Sequence, residues 1–187
     1  PSSAASDVYK RQAKTIADGI AVKKPGELTF ELCSRYLDEI VTVDDDEIAQ
    51  AILFLMERGK MVAEGAGAAP VAAIMNRKFD VSGKVAAVIS GGNIDVTMIS
   101  RIIEKGLLRA GRMTKLRILM QDRPGQLEMA SRIIAAEGAN VMVVHHDRTD
   151  VDLDIRDAIL EITMETQDRK HAQRVIDALR AGGFQVS

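Results

Sequence analysis

The 187-residue sequence has no tryptophan, one cysteine, three histidines and four prolines, and only 3% of it is aromatic. So small a stock of rings leaves little for the stacking platforms that hold single-stranded nucleic acid. A formal net charge of −2 supplies no basic face for a phosphate backbone or an anionic membrane. The lone Cys33 has no partner for an internal disulfide, and its apolar helical setting predicts a small buried thiol. No apolar run approaches the roughly 18 residues that a membrane-spanning helix needs. Neither a nucleic-acid nor a membrane partner is expected, and the expected location is the cytoplasm. Apolar residues, by contrast, make up 47% of the chain, enough for a core, and the length allows one or two domains.

Glycine marks the most informative stretch. Residues 85–89, Val-Ala-Ala-Val-Ile, read as a short strand covered on both faces. The run stops at Ser90-Gly91-Gly92-Asn93, and a helical pattern follows from Asp95. In open α/β sheets, ligands sit beyond the carboxyl ends of such strands. Gly91 and Gly92 remove the side chains that would hold a ligand off the backbone, while Ser90 and Asn93 add polar groups. An ordinary β-to-α turn is spelled the same way.

The flanking sequence supplies the rest of a first domain, residues 13–106, after a leader at 1–12 that lacks periodicity and is expected to be foreign to the fold or disordered. Residues 15–22 predict a short strand or extended segment broken at Gly19. Lys23-Lys24-Pro25-Gly26 is a turn, and Thr29 a candidate cap for a helix to about Leu37. Residues 39–43 predict a short buried strand. Asp44 opens a helix with Glu47 at capping-box spacing, and Ile48, Ile52 and Leu55 share one face. The run Asp44-Asp45-Asp46 complements the positive end of that helix better than it suits a metal. Glu64-Gly65-Ala66-Gly67-Ala68 opens a segment of small residues that permits close approach to a neighbour or a ligand. Helix packing explains the glycines but not a carboxylate at the mouth of so apolar a segment. A helix over 95–105, with Gly106 past its end, completes the domain, and the basic residues 107–115 read as a linker.

Residues 116–187 change character. A strand over 116–120 meets the turn Asp122-Arg123-Pro124-Gly125, and a helix carries Leu127, Ala130, Ile133 and Ile134 to Gly138. Strands over 141–145 and 158–165 follow, then a helix capped by Asp168 and a last strand over 184–186. The order is βαββαβ, a ferredoxin-like arrangement. His145 and His146 point to opposite faces of one strand and cannot share a metal. Asp150, Asp152 and Asp154 imitate the start of a calcium loop, but Ile155 stands where that loop needs glycine, so a solvated hairpin loop is expected.

Two sets of motifs resemble known families. Asp18-Gly19-Ile20-Ala21-Val22, Glu64-Gly65-Ala66-Gly67-Ala68 and Ser90-Gly91-Gly92-Asn93 resemble the C-terminal part of threonine ammonia-lyase (threonine dehydratase), a fold-type-II pyridoxal-phosphate enzyme with an open α/β sheet. Asp122-Arg123-Pro124-Gly125-Gln126-Leu127, Gly138-Ala139-Asn140-Val141, His146-Asp147-Arg148 and His171 resemble an ACT regulatory domain. The resemblance implies pyridoxal 5'-phosphate as cofactor, bound by Ser90, Gly91, Gly92, Asn93 and Glu64. Ser90 would hydrogen-bond the ring nitrogen, and Glu64 is a candidate for a catalytic part. It implies β-elimination of L-threonine to 2-oxobutanoate and ammonia, with L-serine as a candidate substrate; a relative of the serine dehydratases and racemases is an alternative reading. It further implies a branched-chain amino-acid effector held by Asp122, Gly125, Leu127, Asn140 and Val141 beside a partner domain, in a homodimer or homotetramer. The family's Schiff-base lysine and phosphate loop are expected upstream of these residues. Lys23, Lys24 and Lys84 read as solvated charges, so the chain is expected to be an inactive fragment of an allosteric enzyme of amino-acid metabolism. A purely amino-acid-binding or oligomerising module is the alternative.

Overall fold

The computed structural model describes residues 15–80, 82–151 and 153–187. The chain divides into two units, Pro1–Ile103 and Glu104–Ser187. The expected leader at 1–12 lies outside the described residues.

In the first unit a 3-10 turn, Asp18–Ile20, replaces the strand expected over 15–22. Helix α1, Glu27–Tyr36, starts after Gly26 rather than at Thr29, whose hydroxyl instead donates to the Gly26 carbonyl at 2.9 Å. No residue of α1 is buried. Cys33 is therefore exposed, against expectation. Helix α2, Asp45–Phe54, forms with the predicted box: Asp44 accepts from the Glu47 amide at 2.8 Å, and Glu47 accepts from the Asp44 amide at 2.9 Å. Its buried Ile48, Ala51 and Ile52 share a core with Ala68 and Ala72 of α3, Gly65–Met75, and with Ile102 of α4, Val96–Ala110. Burial of a side chain such as Ile52 stabilises by about 1.5–3 kcal/mol.

The strands expected over 39–43 and 85–89 do not form. Ile40 is 78% exposed and Val88 75% exposed, and neither stretch joins a ladder. A continuous apolar run becomes a strand only where neighbouring strands take up its hydrogen bonds. Among the described residues of the first unit there are none, so the expected open sheet is absent from it. The segment read as a linker is also ordered. Helix α4 passes through Gly106 to Ala110, and strand β1 starts at Met113. Glycine in a helix interior costs only about 1 kcal/mol, and the apolar spacing on either side outweighs it.

The second unit matches its expected order: β1 Met113–Gln121, α5 Gln126–Ala136, β2 Asn140–Asp147, β3 Asp157–Glu165, α6 Arg169–Ala181 and β4 Gln185–Val186. The four strands form one antiparallel sheet in the order β2-β3-β1-β4. Alternation puts Leu116, Ile118 and Met120 opposite Ile162, Leu160 and Ala158, all buried against Ala130 and Ile134 of α5 and Val175 and Leu179 of α6. Gly138, at φ +79°, makes the turn out of α5 that a residue with a Cβ would strain. His145 pairs with Glu161 and His146 with Leu160, so the two rings take opposite faces.

Candidate functional site

The first unit gathers its three glycine motifs at one place. The Glu64 amide donates to the Gly91 carbonyl at 3.1 Å, tying the mouth of α3 to the Ser90-Gly91-Gly92-Asn93 stretch. Bare backbone makes the approach possible. A Cβ on Gly67 would stand 2.8 Å from the Gly91 oxygen, and one on Gly92 would stand 2.9 Å from the Val62 oxygen. On Gly65 it would stand 2.3 Å from the Ile16 oxygen, which brings the Asp18-Gly19 turn to the same place. A Cβ on Gly91 would meet the Glu64 Oε1 at 2.3 Å, and one on Gly19 would lie 3.7 Å from the same oxygen. The Glu64 carboxylate thus lies over two glycine positions at once, half-buried, while Ser90 and Asn93 are exposed beside it.

One aspartate anchors a segment of this arrangement and another caps the helix that follows it. Asp45 accepts from the Thr15 hydroxyl and, at 3.2 Å, from the Ile16 amide, so it anchors the segment that leads to Asp18-Gly19. Sequence reasoning took Asp45 only as a helix-end charge; nothing local signals a partner thirty residues away. Asp95, just after the glycine pair, accepts from the Thr97 hydroxyl at 2.5 Å and its amide at 2.6 Å. The hydroxyl bond first, then the amide bond, lowers its pKa below the ordinary aspartate value. No group of three or more His, Cys, Asp or Glu side chains able to hold a metal occurs among the described residues. No described helix is long and apolar enough to cross a membrane.

The second unit separates its candidate effector residues. Asp122, at the end of β1, pairs with Arg148 at 3.1 Å and lies 3.9 Å from His146 Nε2. Gly125, at φ +91°, is the N-cap of α5, and Leu127 is 40% exposed in its first turn. Asn140 and Val141 begin β2 at the other end of the sheet. Asn140 pairs with Glu165, which pairs with Met113 at the start of β1. Eight strand steps separate Met113 from Gln121, about 27 Å. Within one chain, Asp122 and Gly125 therefore do not meet Asn140. The Asn140 amide donates to the Glu165 carboxylate at 2.9 Å, and Val141 packs against the core. Sequence reasoning gave no role to His171, which is 1% exposed and engaged at both ring nitrogens; its only earlier signal was the family resemblance.

Glycines thus let three motifs pack main chain to main chain beside a half-buried carboxylate, and the comparisons with known proteins give the family of this part of the chain. Residues 2–91 match the family described as "Pyridoxal-phosphate dependent enzyme", a match that begins inside the stretch expected to be a foreign leader. The first half of this chain is therefore homologous to that class of enzyme. The chain is 54% identical over 173 residues to the L-threonine ammonia-lyase of Thermotoga maritima, covering 92% of this chain and 43% of that protein. It is 47% identical over 173 residues to the L-threonine ammonia-lyase of Geobacter sulfurreducens, with the same coverage of 92% and 43%. It is 48% identical over 101 residues to the L-threonine dehydratase catabolic TdcB of Staphylococcus aureus, covering 52% of this chain and 29% of that one. The chain is thus a homologue of the threonine ammonia-lyases and spans less than half the length of these relatives.

Proposed function

We propose that this chain supplies one wall of the cofactor site of an L-threonine ammonia-lyase, together with an ACT-type module that binds an amino-acid effector. The observation that carries the first part is the convergence of Glu64, Gly67, Ser90, Gly91 and Gly92 at one place, where main chain packs too closely for a Cβ at Gly67 or Gly92. Ser90, Gly91, Gly92, Asn93 and Glu64 are the residues that would hold pyridoxal phosphate there. Bound there, it supplies the electron sink that lets a proton leave Cα of the amino acid and the β-hydroxyl depart. Glycine backbone lets the flat ring lie against main chain. The Ser90 hydroxyl offers the ring nitrogen a neutral hydrogen bond, which leaves that nitrogen less protonated than a carboxylate would and suits β-elimination. The Glu64 carboxylate, which lies over Gly91, would orient polar groups at the ring's edge. Lys23, Lys24 and Lys84 are exposed and take no part in this reading.

The reaction is deamination of L-threonine to 2-oxobutanoate and ammonia, with L-serine the alternative hydroxy-amino acid. A cytoplasmic location belongs to the same reading. The test is the full-length protein: it should release 2-oxobutanoate from threonine and carry the cofactor's absorbance band. Ser90→Ala should lower kcat and shift the band with little change in folding stability. Full-length protein that binds cofactor but deaminates neither amino acid overturns the reading.

The separation of Asp122 and Gly125 from Asn140 favours an effector site shared by two copies of the second unit, one giving the strand-end residues and the other Asn140. This is the regulatory part of the proposal, and it requires a homo-oligomer, a dimer at the least. Calorimetry with isoleucine and valine, combined with light scattering, tests it; a monomer that binds neither excludes it.

A further inference from the structure

The connection from β3 to α6, residues 165–169, makes a bond to one side or the other at nearly every position. Toward the turn after α5, the Glu165 carboxylate accepts from the Asn140 side chain at 2.9 Å. The Gln167 amide donates to Nδ1 of His171 at 3.0 Å, so that nitrogen carries no proton. The proton is then on Nε2, which donates to the Glu137 carbonyl at 2.8 Å. Glu137 is the C-cap of α5, directly before Gly138-Ala139-Asn140. Two independent links thus run from this connection to the Asn140 turn, one of them through a buried ring.

Toward the end of α4 the contacts are denser. Arg169 donates from Nε at 2.9 Å and from Nη2 at 2.6 Å to the Arg109 carbonyl, in the last turn of the helix. The Thr166 hydroxyl donates to the Gly111 carbonyl at 2.5 Å, and the Thr166 amide donates to the Arg112 carbonyl at 3.0 Å. Thr166 is 8% exposed and also meets the Thr114 hydroxyl at 3.0 Å. Gly111, at φ +68°, leaves room for none but a hydrogen, since a Cβ there would stand 2.5 Å from the Arg169 amide. Helices end in carbonyls that need outside donors. The Arg109 carbonyl takes such donors from Arg169, and the Gly111 and Arg112 carbonyls, just beyond the helix, take theirs from Thr166.

We propose that residues 165–169 are the mechanical link by which the state of the Asn140 turn reaches the end of α4. The inference rests on the reading of the second unit as an effector-binding module and adds how its signal leaves that module along the chain. Thr166 and Arg169 are positioning residues that touch neither effector nor cofactor. An effector that engages Asn140 competes with Glu165 for its side chain, and the freed loop then holds the carbonyls of Arg109, Gly111 and Arg112 differently. The link's measurable consequence is energetic coupling between its two ends.

Hydrogen exchange on the full chain supplies that measurement without cofactor or effector. Arg169→Met should speed exchange of the amides at 107–112 on the order of tenfold, the scale of a lost bond to a charged donor. Asn140→Ala should speed the same amides several-fold, and that increment should vanish in the double variant. Arg169→Lys, which keeps the charge and loses the fork, should fall between and replaces Arg169→Met if that variant does not fold. Amides 107–112 indifferent to Asn140→Ala, or fully additive effects, overturn the link. In full-length protein Arg169→Met should bind isoleucine or valine with unchanged Kd and lose the change in threonine turnover that they cause. A response that survives Arg169→Met also overturns it. If wild-type protein shows no response, the effector reading fails, and the exchange result alone then decides the link.

Discussion

Two glycines of the proposed site face different neighbours and should respond differently to the same added methyl group. A Cβ on Gly67 meets the Gly91 oxygen at 2.8 Å and the Gly91 nitrogen at 3.0 Å, both backbone. Backbone cannot step aside cheaply, so Gly67→Ala should cost about 1–3 kcal/mol of folding stability, more than the roughly 1 kcal/mol that alanine adds inside a helix. On Gly91 the methyl meets the Glu64 carboxylate, the end of a flexible side chain. Glu64 can swing away, so Gly91→Ala should leave stability nearly unchanged and weaken cofactor binding in full-length protein. Denaturant melts paired with cofactor titration separate the two; equal stability losses would contradict this division of roles. Both glycines stood out in the sequence. That one faces main chain and the other a carboxylate was not readable there, since each contact joins segments more than twenty residues apart.

At the scale of elements, helix ends set the response to acid. Asp168 caps α6 by accepting from the His171 amide at 2.8 Å, and that bond, first among its causes, lowers the Asp168 pKa below the ordinary aspartate value. Asp95 is lowered in the same direction at the start of α4. A carboxylate with a depressed folded pKa stabilises the fold above its unfolded pKa, and that contribution disappears as pH falls through the folded value. Acidification through and below the usual carboxylate range should therefore loosen the first turns of α4 and α6. Asp168→Asn should flatten the acid limb of a stability-versus-pH curve, measured by denaturant melts at each pH. An unchanged acid limb would mean that the cap carries no linked proton. The Asp168 cap follows from spacing alone, because a capping bond reaches only two or three residues.

At the scale of the molecule, the two units differ in how much of themselves they cover. The second unit closes a core around Leu116, Ile118, Leu160, Ile162 and Met164 between a complete sheet and two helices. The first leaves Leu28, Phe30, Tyr36 and Ile40 more than 60% exposed and builds its core largely from alanine and isoleucine. Apolar burial is the main stabilising term, so the second unit should hold longer. Exchange or limited proteolysis under mild denaturant should open residues 20–45 first and spare 113–181. Simultaneous opening of both regions would show that the units unfold as one.

What residue order determined by itself is local or periodic. The capping box at Asp44, the cap at Asp168, the turn at Gly138 and the alternation of β1 and β3 each follow from neighbours a few positions apart. The βαββαβ unit was legible because all its strand partners are in the chain. Tertiary structure decided what depends on distant partners. Residues 85–89 are apolar enough for a strand, but a strand requires a neighbour to bond, and among the described residues of this unit there is none. Only the fold set the Glu64 carboxylate over Gly91, tied Asp45 to Thr15, and put Asn140 at the opposite end of the sheet from Asp122. Each of these depends on how segments cross in space, which spacing along the chain does not encode.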